Sequence, residues 1–266
     1  MSTTQPVTIT DDLLTAGSVR LVVDSARADV ALARPEVRNA QVPATWAALA
    51  AVPALLPEQV RVVVLSGDGA SFSAGLDRRM FDPAAVDGLA GLAAGTPEQI
   101  DTAIAGFQQA FTWWRDSSRV TIAAVQGHAV GAGFQLALGC DLMLCADDAR
   151  LAMRETSLGL VPDLGGTSLL VDTVGYSRAL EICATGRWVG ADEAVALGIA
   201  TASVPTDSLS DSVDDLVAAL LAAPAGALAA TKRLLVGAGG RSRVDQLAAE
   251  RTEQAGRLAD LVRLLG

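Results

Sequence analysis

The sequence predicts an α/β fold in which helices cover a sheet. Three short, largely apolar segments are typical of buried strands: VRVVVLSG (60–67), VTIAAVQG (120–127) and DLMLCADD (141–148). These segments alternate with stretches of helical periodicity, which is the pattern of α/β proteins. The chain is mostly helical after the last of them. We therefore divide it into an α/β core, residues 1–205, and a C-terminal helical region, residues 206–266.

The remaining elements are predicted in chain order. SVRLVVD (18–24) and RADVALA (27–33) are short β-type runs separated by a tight turn, so they predict a hairpin. A helix is expected from about Gln41, with Asn39 near its N terminus as a cap. Residues 97–117 have apolar residues at helical spacing, and residues 243–264 have a long charged helical pattern. Both segments are predicted to be helices.

Composition limits what the chain can do. Its 266 residues, 51% of them hydrophobic, suffice for a substantial core, and a net charge of -10 argues against a nucleic-acid surface. His128 is the single histidine, which excludes a metal site built on several histidines of one chain. The three cysteines lie in apolar context and predict buried, reduced thiols.

Localisation is expected to be cytoplasmic. The first residues, MSTTQPVTITDD, have neither the positive charge nor the apolar run of a signal peptide. The longest apolar run, from Leu216, is shorter than the ~18 residues that span a bilayer and is interrupted by Pro224. No membrane interaction is therefore expected.

Two glycine-rich loops each follow a buried strand: SGDGASFSAGLD (66–77) and VQGHAVGAGFQ (125–135). A loop of this kind that opens a helix directs backbone N–H groups into space. Because the two loops leave separate strands, their donors could converge on one oxygen atom. The alternative for either loop alone is a turn that simply requires glycine.

Two other enzyme classes fit the sequence less well. Gly127, Gly131 and Gly133 resemble a dinucleotide fingerprint, but the only tyrosine, Tyr176, has Leu180 where short-chain dehydrogenases need lysine. A serine hydrolase would need a G-x-S-x-G elbow, and the sequence contains none.

Four segments together resemble the crotonase superfamily, the enoyl-CoA hydratases and isomerases. They are SFSAGLD (71–77), VQGHAVGAGFQLALGCDL (125–142), RETSLGLVPDLGGTSLL (154–170) and ATGRWVGADEAVALGIA (184–200). The resemblance implies a spiral of β-β-α units with C-terminal helices that build trimers, often paired into hexamers. It also implies a coenzyme A thioester as substrate, with no further cofactor and no metal.

The resemblance assigns an oxyanion hole to the backbone N–H groups of Leu76 and Ala132. Such donors stabilise the enolate that forms when a thioester loses an α-proton. Arg79 falls where the family often has a lysine near the CoA phosphates, and Arg38 and Arg34 are further candidates. Other residues of the two loops are expected to bind substrate: Ala74, Gly75, Asp77, Gly131 and Gly133.

One departure from the family decides the expected chemistry. Typical hydratases carry two glutamates, but this chain has Gln135 at the first position and Glu155 at the second. An amide cannot act as a base, whereas a single carboxylate suffices to move a proton from C2 of a 3-enoyl thioester to C4. The sequence therefore favours double-bond isomerisation with Glu155 as base.

Asp163 leaves alternatives open. It follows Glu155 by eight residues, where hydratases usually have glycine, and is either a second proton carrier or a helix cap before LGGTSLL; base rates favour the cap. Hydration with a compensating acid and acyl-CoA binding without catalysis remain alternative functions. Gln135 could likewise be a polar residue satisfied by nearby backbone groups.

Overall fold

The structure is a computed structural model that describes residues 5–85 and 88–265. Its strands are β1 Val7–Ile9, β2 Val19–Asp24, β3 Arg27–Leu32, β4 Val62–Gly67, β5 Val120–Val125, β6 His128–Val130, β7 Leu142–Ala146, β8 Arg150–Ala152, β9 Val189–Gly190 and β10 Ala202–Val204. Its helices are α1 Asp12–Ala16, α2 Pro43–Leu55, α3 Leu89–Ala93, α4 Pro97–Asp116, α5 Ala132–Gly139, α6 Gly166–Val174, α7 Tyr176–Thr185, α8 Ala191–Ala196, α9 Leu209–Ala222, α10 Ala225–Ala238 and α11 Arg243–Leu265. Short 3₁₀ turns cover Pro35–Val37, Arg78–Phe81, Glu155–Leu158 and Thr206–Ser208.

The larger sheet has the strand order β1-β2-β3-β4-β5-β7-β10. The first three strands are antiparallel neighbours, as the predicted hairpin requires, and each later pair is parallel. A smaller sheet has the order β6-β8-β9. The α/β prediction is confirmed, whereas β1, β6, β8, β9 and β10 were missed because strands of two or three residues carry almost no periodic signal.

Both faces of the larger sheet are buried, which explains why its central strands are apolar throughout. Val63 and Leu65 of β4 face the main core, to which α2, α4 and α5 also contribute. Val62 and Val64 face the opposite side, where Leu209, Val213 and Val217 of α9 pack against the sheet. The division at residue 205 stays a prediction, but the helical region begins with a helix that covers the second face.

Asn39 does not cap the helix that follows it, so that prediction is wrong. Helix α2 begins at Pro43, and its cap residue Val42 supplies no side-chain hydrogen bond. The Asn39 side chain instead accepts from the Arg34 amide at 2.9 Å and donates to the Asp68 and Ser71 carbonyls. A residue type suited to capping is equally suited to bridging two loops.

No single helix in the described part of the chain has the length and apolar character to cross a bilayer. The bent pair Thr206–Ala222 and Ala225–Ala238 meets the criterion together by length and composition only. The three cysteines are free thiols; Cys140 and Cys145 are buried as expected, whereas Cys183 is only half-buried.

The single lysine, Lys232, fastens α10 to the core. Its Nζ donates to the carbonyls of Trp114 at 3.1 Å and Arg119 at 2.6 Å, and to Oδ2 of Asp141 at 2.7 Å. The same carboxylate accepts from the amide and hydroxyl of Thr121. Burial lowers the pKa of Lys232, and the Asp141 charge opposes that change. These three hydrogen bonds hold the Lys232 ammonium group, and with it α10, in one position against the core.

Replacing Lys232 with methionine should lower the free energy of unfolding by about 3 kcal/mol, because it leaves the Asp141 carboxylate buried without its ion partner. Urea unfolding followed by circular dichroism would measure the change. The double variant Lys232→Met with Asp141→Asn should regain part of the loss. A single variant as stable as the wild type would contradict this account of how α10 is held.

Candidate active site

The two glycine-rich loops are joined by backbone hydrogen bonds. The Phe72 amide donates to the Gln126 carbonyl at 2.9 Å, and the Ser73 amide donates to the His128 carbonyl at 2.8 Å. The Val130 amide returns a bond to the Ser73 carbonyl at 3.0 Å. These bonds form a parallel bridge that sets the end of the first loop beside the start of α5.

Glycine is required where the loops approach each other. Gly75 has φ +81°, and a Cβ there would collide with the Val130 carbonyl and lie 3.5 Å from the Ala132 amide nitrogen. Gly133 faces the same loop, because a Cβ there would lie 2.6 Å from the Ser73 carbonyl. Close approach of the two backbones therefore depends on missing side chains.

The Leu76 amide points away from the strand-like contact that holds its neighbours. The Gly75 carbonyl accepts from the Gln41 amide at 2.7 Å, and the Asp77 amide donates to the Gln41 carbonyl at 2.8 Å. In extended backbone the intervening N–H faces the opposite side.

Ala132 is the first residue of α5, so its N–H has no acceptor within the helix. Neither this amide nor that of Leu76 donates to a protein acceptor within residues 5–85 and 88–265.

Glu155 lies directly beside this junction. It begins a 3₁₀ turn after β8 and is only 9% exposed. A Cβ on Gly131, which has φ +52°, would lie 3.2 Å from Glu155 Oε1, so the carboxylate abuts the residue before Ala132. Its Oε1 accepts a hydrogen bond, whereas the buried Oε2 has no partner among the described residues.

Gln135 holds the Glu155 carboxylate. Its Nε2 donates to Glu155 Oε1 at 2.7 Å, while its Oε1 accepts from the amides of Leu164 at 3.0 Å and Gly166 at 3.3 Å. Because two N–H donors face the oxygen end, the amide can be oriented in only one way. Nearby backbone does satisfy Gln135, as one alternative expected, but only at one end of its amide.

Two opposing effects act on the Glu155 pKa. Burial raises the pKa above its ordinary value, and this effect is the largest. Backbone hydrogen bonding and the bond from Gln135 lower the pKa, because both favour the charged form. A carboxylate that is desolvated yet held by one amide is suited to accept a proton from carbon.

Asp163 lies in the segment that leads to α6, and it is not the cap of that helix. The cap residue of α6 is Gly165, with no side-chain hydrogen bond, so the predicted capping role is wrong. The Asp163 carbonyl accepts from Gln108 Nε2 at 2.7 Å, which ties the segment to α4. Burial raises the pKa of Asp163, and its charge contributes to the raised pKa of Glu155.

Two of the predicted binding residues, Arg79 and Arg34, contact the buried carboxylate of a third, Asp77. Arg79 and Arg34 both form ion pairs with it, and Arg34 also donates to the Ala40 carbonyl. The hydrogen bond from Arg79 is the main reason that the pKa of Asp77 lies well below its usual range. Arg34 is therefore committed to the protein itself, whereas the Arg79 side chain is 73% exposed.

Arg38 is exposed in a left-handed turn, and its carbonyl accepts from the Ala74 amide at 2.8 Å.

No group of three or more His, Cys, Asp or Glu side chains within the described ranges could hold a metal ion. Sequence reasoning assigned no site role to Gln41, which is fully buried beneath the first loop, or to Ser73, a fully buried residue of that loop. Nothing in their local pattern distinguished them from ordinary loop residues.

Comparison with known proteins identifies the relatives of this chain. The family model for enoyl-CoA hydratase/isomerase matches residues 24–257. Carnitinyl-CoA dehydratase of Citrobacter koseri is 37% identical over 177 residues, which is 66% of this chain and 63% of that protein. The matched region thus spans less than two thirds of the length of this relative.

Solved structures extend the likeness over nearly the whole chain. A protein of Thermobifida fusca YX, described as a candidate enoyl-CoA hydratase and solved in complex with CoA, is 46% identical. That superposition has a TM-score of 0.88 and covers 96% of this chain and 98% of the other. A structure from the same organism in complex with acetoacetyl-CoA is 45% identical, with a TM-score of 0.88 over 94% of this chain and 98% of the other.

Replacing Glu155 with glutamine should remove a contribution to stability that decreases as pH rises. Because the folded-state pKa of Glu155 is raised, no charge on this group has to be desolvated well below the pKa of an unfolded glutamate, about 4.3. As pH rises through the folded pKa, the wild type loses stability that the amide variant keeps. Urea unfolding at pH 4 and pH 8 measures both proteins; an unchanged difference would contradict the raised pKa.

The family model covers most of the chain, and a solved relative superposes on 96% of its length. The resemblance to the crotonase superfamily is thereby confirmed, and this chain belongs to the enoyl-CoA hydratase/isomerase family.

Proposed function

We propose that the chain isomerises the double bond of an enoyl-CoA thioester, with Glu155 as its single base. The observation that carries this proposal is the Gln135–Glu155 pair beside Gly131. Of these two side chains only Glu155 can ionise, and its Oε2 is not engaged by any described residue. An amide at position 135 can orient that group but cannot exchange protons with water.

The proposed reaction consists of two proton transfers. Glu155 removes a proton from C2 of a 3-enoyl thioester, and the electron pair moves into the thioester, giving a dienolate. The protonated carboxyl then delivers the same proton to C4, so the double bond lies between C2 and C3. No water is consumed, and the composition of the substrate does not change.

The amides of Leu76 and Ala132 are proposed as the oxyanion hole. A dienolate carries negative charge on the thioester oxygen, and preorganised N–H donors stabilise it more strongly than the neutral carbonyl. The close approach of Gly75 to Ala132 supports this role, as does the lack of protein acceptors for both amides in the described ranges.

The substrate class is supported by the relatives. Structures of the Thermobifida fusca relatives were solved with CoA and with acetoacetyl-CoA. Arg79, whose side chain is largely exposed, and Arg38 are proposed to contact the CoA phosphates. Assembly as a trimer or a dimer of trimers and a cytoplasmic location are further proposals.

Hydration or dehydration is a second candidate function. Relatives are named enoyl-CoA hydratase and carnitinyl-CoA dehydratase, and Asp163 is a half-buried acid whose raised pKa suits a proton carrier. In this alternative Asp163 would supply the acid that Gln135 cannot. A protein that only binds acyl-CoA would show tight binding and neither reaction.

Glu155→Gln should reduce the turnover of 3-enoyl-CoA isomerisation on the order of 100-fold or more, because it removes the base but keeps the shape. The increase in conjugated thioester absorbance measures the reaction. Binding of a saturated acyl-CoA should change little, which calorimetry would check. Undiminished turnover would remove Glu155 from the mechanism.

Asp163→Asn should leave isomerisation within about threefold of the wild type, since the proposed proton path uses Glu155 alone. Incubation with crotonyl-CoA supplies the comparison: loss of its conjugated absorbance would indicate hydration. Hydration by the wild type that disappears in Asp163→Asn would favour the second candidate function.

A further inference from the structure

A series of buried side-chain hydrogen bonds connects Trp46 of α2 to the first glycine loop. The indole Nε1 of Trp46 donates to Gln41 Oε1 at 2.8 Å, and Gln41 Nε2 donates to Ser73 Oγ at 3.0 Å. Gln41 and Ser73 are both fully buried. The Trp46 ring packs against Phe107 of α4 with centroids 4.8 Å apart, so the core holds the Trp46 end of this hydrogen-bond series.

Ser73 connects this hydrogen-bond series to the loop backbone. Its hydroxyl donates to the Asn39 carbonyl at 2.8 Å and accepts from the Gly75 amide at 3.2 Å. Each polar atom in the series thus has a partner, as buried groups require. The Gly75 amide belongs to the peptide immediately before the one that carries the Leu76 N–H.

The main chain of Gln41 also forms hydrogen bonds with the loop, at the residues on either side of Leu76. Its amide donates to the Gly75 carbonyl, and its carbonyl accepts from the Asp77 amide, so Gln41 bonds on both sides of Leu76. One residue therefore contacts the loop through its backbone and, through Ser73, by its side chain. The direction of the Leu76 N–H is fixed by these contacts.

We propose that Gln41 is a positioning residue for the Leu76 amide, acting through Ser73. This inference rests on the proposed function, in which that amide binds the thioester oxygen. An apolar residue at position 41 would leave the Trp46 indole N–H without its acceptor, so part of the contribution of Gln41 is to stability. The bond from Gln41 Nε2 to Ser73 Oγ adds a constraint on the loop, because the same hydroxyl accepts from the Gly75 amide.

The test compares the wild type with Gln41→Met, which keeps the length of the side chain but removes both of its hydrogen bonds. The probe is butyryl-CoA with ¹³C at the thioester carbonyl, and isotope-edited infrared spectroscopy reports how strongly that carbonyl is polarised when bound. We expect a lower stretching frequency on the wild type than in water, and a smaller decrease on Gln41→Met. Turnover of a 3-enoyl-CoA should fall about tenfold or more, with KM changed far less.

Two further variants separate positioning from a general loss of stability. Val213→Ala truncates a buried side chain on α9, at the opposite face of the sheet, and should lower stability without changing the carbonyl frequency. Ser73→Ala removes the hydroxyl that links Gln41 to the Gly75 amide. Like Gln41→Met, it should make the decrease in the carbonyl stretching frequency smaller. If Gln41→Met fails to fold, Ser73→Ala supplies the deciding measurement.

The outcomes distinguish this inference from the function on which it rests. A wild type that does not lower the carbonyl frequency would overturn the oxyanion hole, and the role of Gln41 with it. A normal wild-type shift that persists unchanged in Gln41→Met or Ser73→Ala, with unchanged turnover, would overturn the positioning role alone.

Discussion

The backbone pairing between residues 72–73 and residues 126–130 is the constraint on which the site depends. Three hydrogen bonds of 2.8 to 3.0 Å join loops that leave neighbouring parallel strands. Gly75 is needed because a side chain there would meet the Val130 carbonyl, and Gly131 because a side chain would press on Glu155. Joining the loops sets Gly75 beside the Ala132 amide and Gly131 beside the Glu155 carboxylate.

Gln135 fits its surroundings better than a carboxylate would. Its oxygen end faces two backbone N–H groups and its nitrogen end faces Glu155, so donors and acceptors match at both ends. A glutamate in its place would present a second negative charge to Glu155, and repulsion would raise the pKa values of the pair. Gln135 therefore complements the charged form of Glu155.

Prediction from sequence succeeded where the signal is local. Apolar strands and glycine loops are short patterns, and the family motifs that contain them indicated Leu76, Ala132, Gln135 and Glu155. Contacts between distant residues could not be predicted: Gln41 and Ser73 lie 32 residues apart, and Lys232 and Asp141 lie 91 apart. Asn39 was assigned as a cap, and a cap was the favoured alternative for Asp163, because residue type alone does not reveal which distant backbone groups a side chain meets. The roles of the site residues stay predictions.

The burial of the only lysine has a practical consequence. All other fixed positive side-chain charge on this chain is carried by arginine, which amine-directed reagents do not modify. The Lys232 amine is only 7% exposed and is engaged by three oxygen atoms, so acylating reagents can reach it only after α10 separates from the core. Mass spectrometric detection of acyl groups at this one position would therefore time that opening, without any label having to be engineered into the protein.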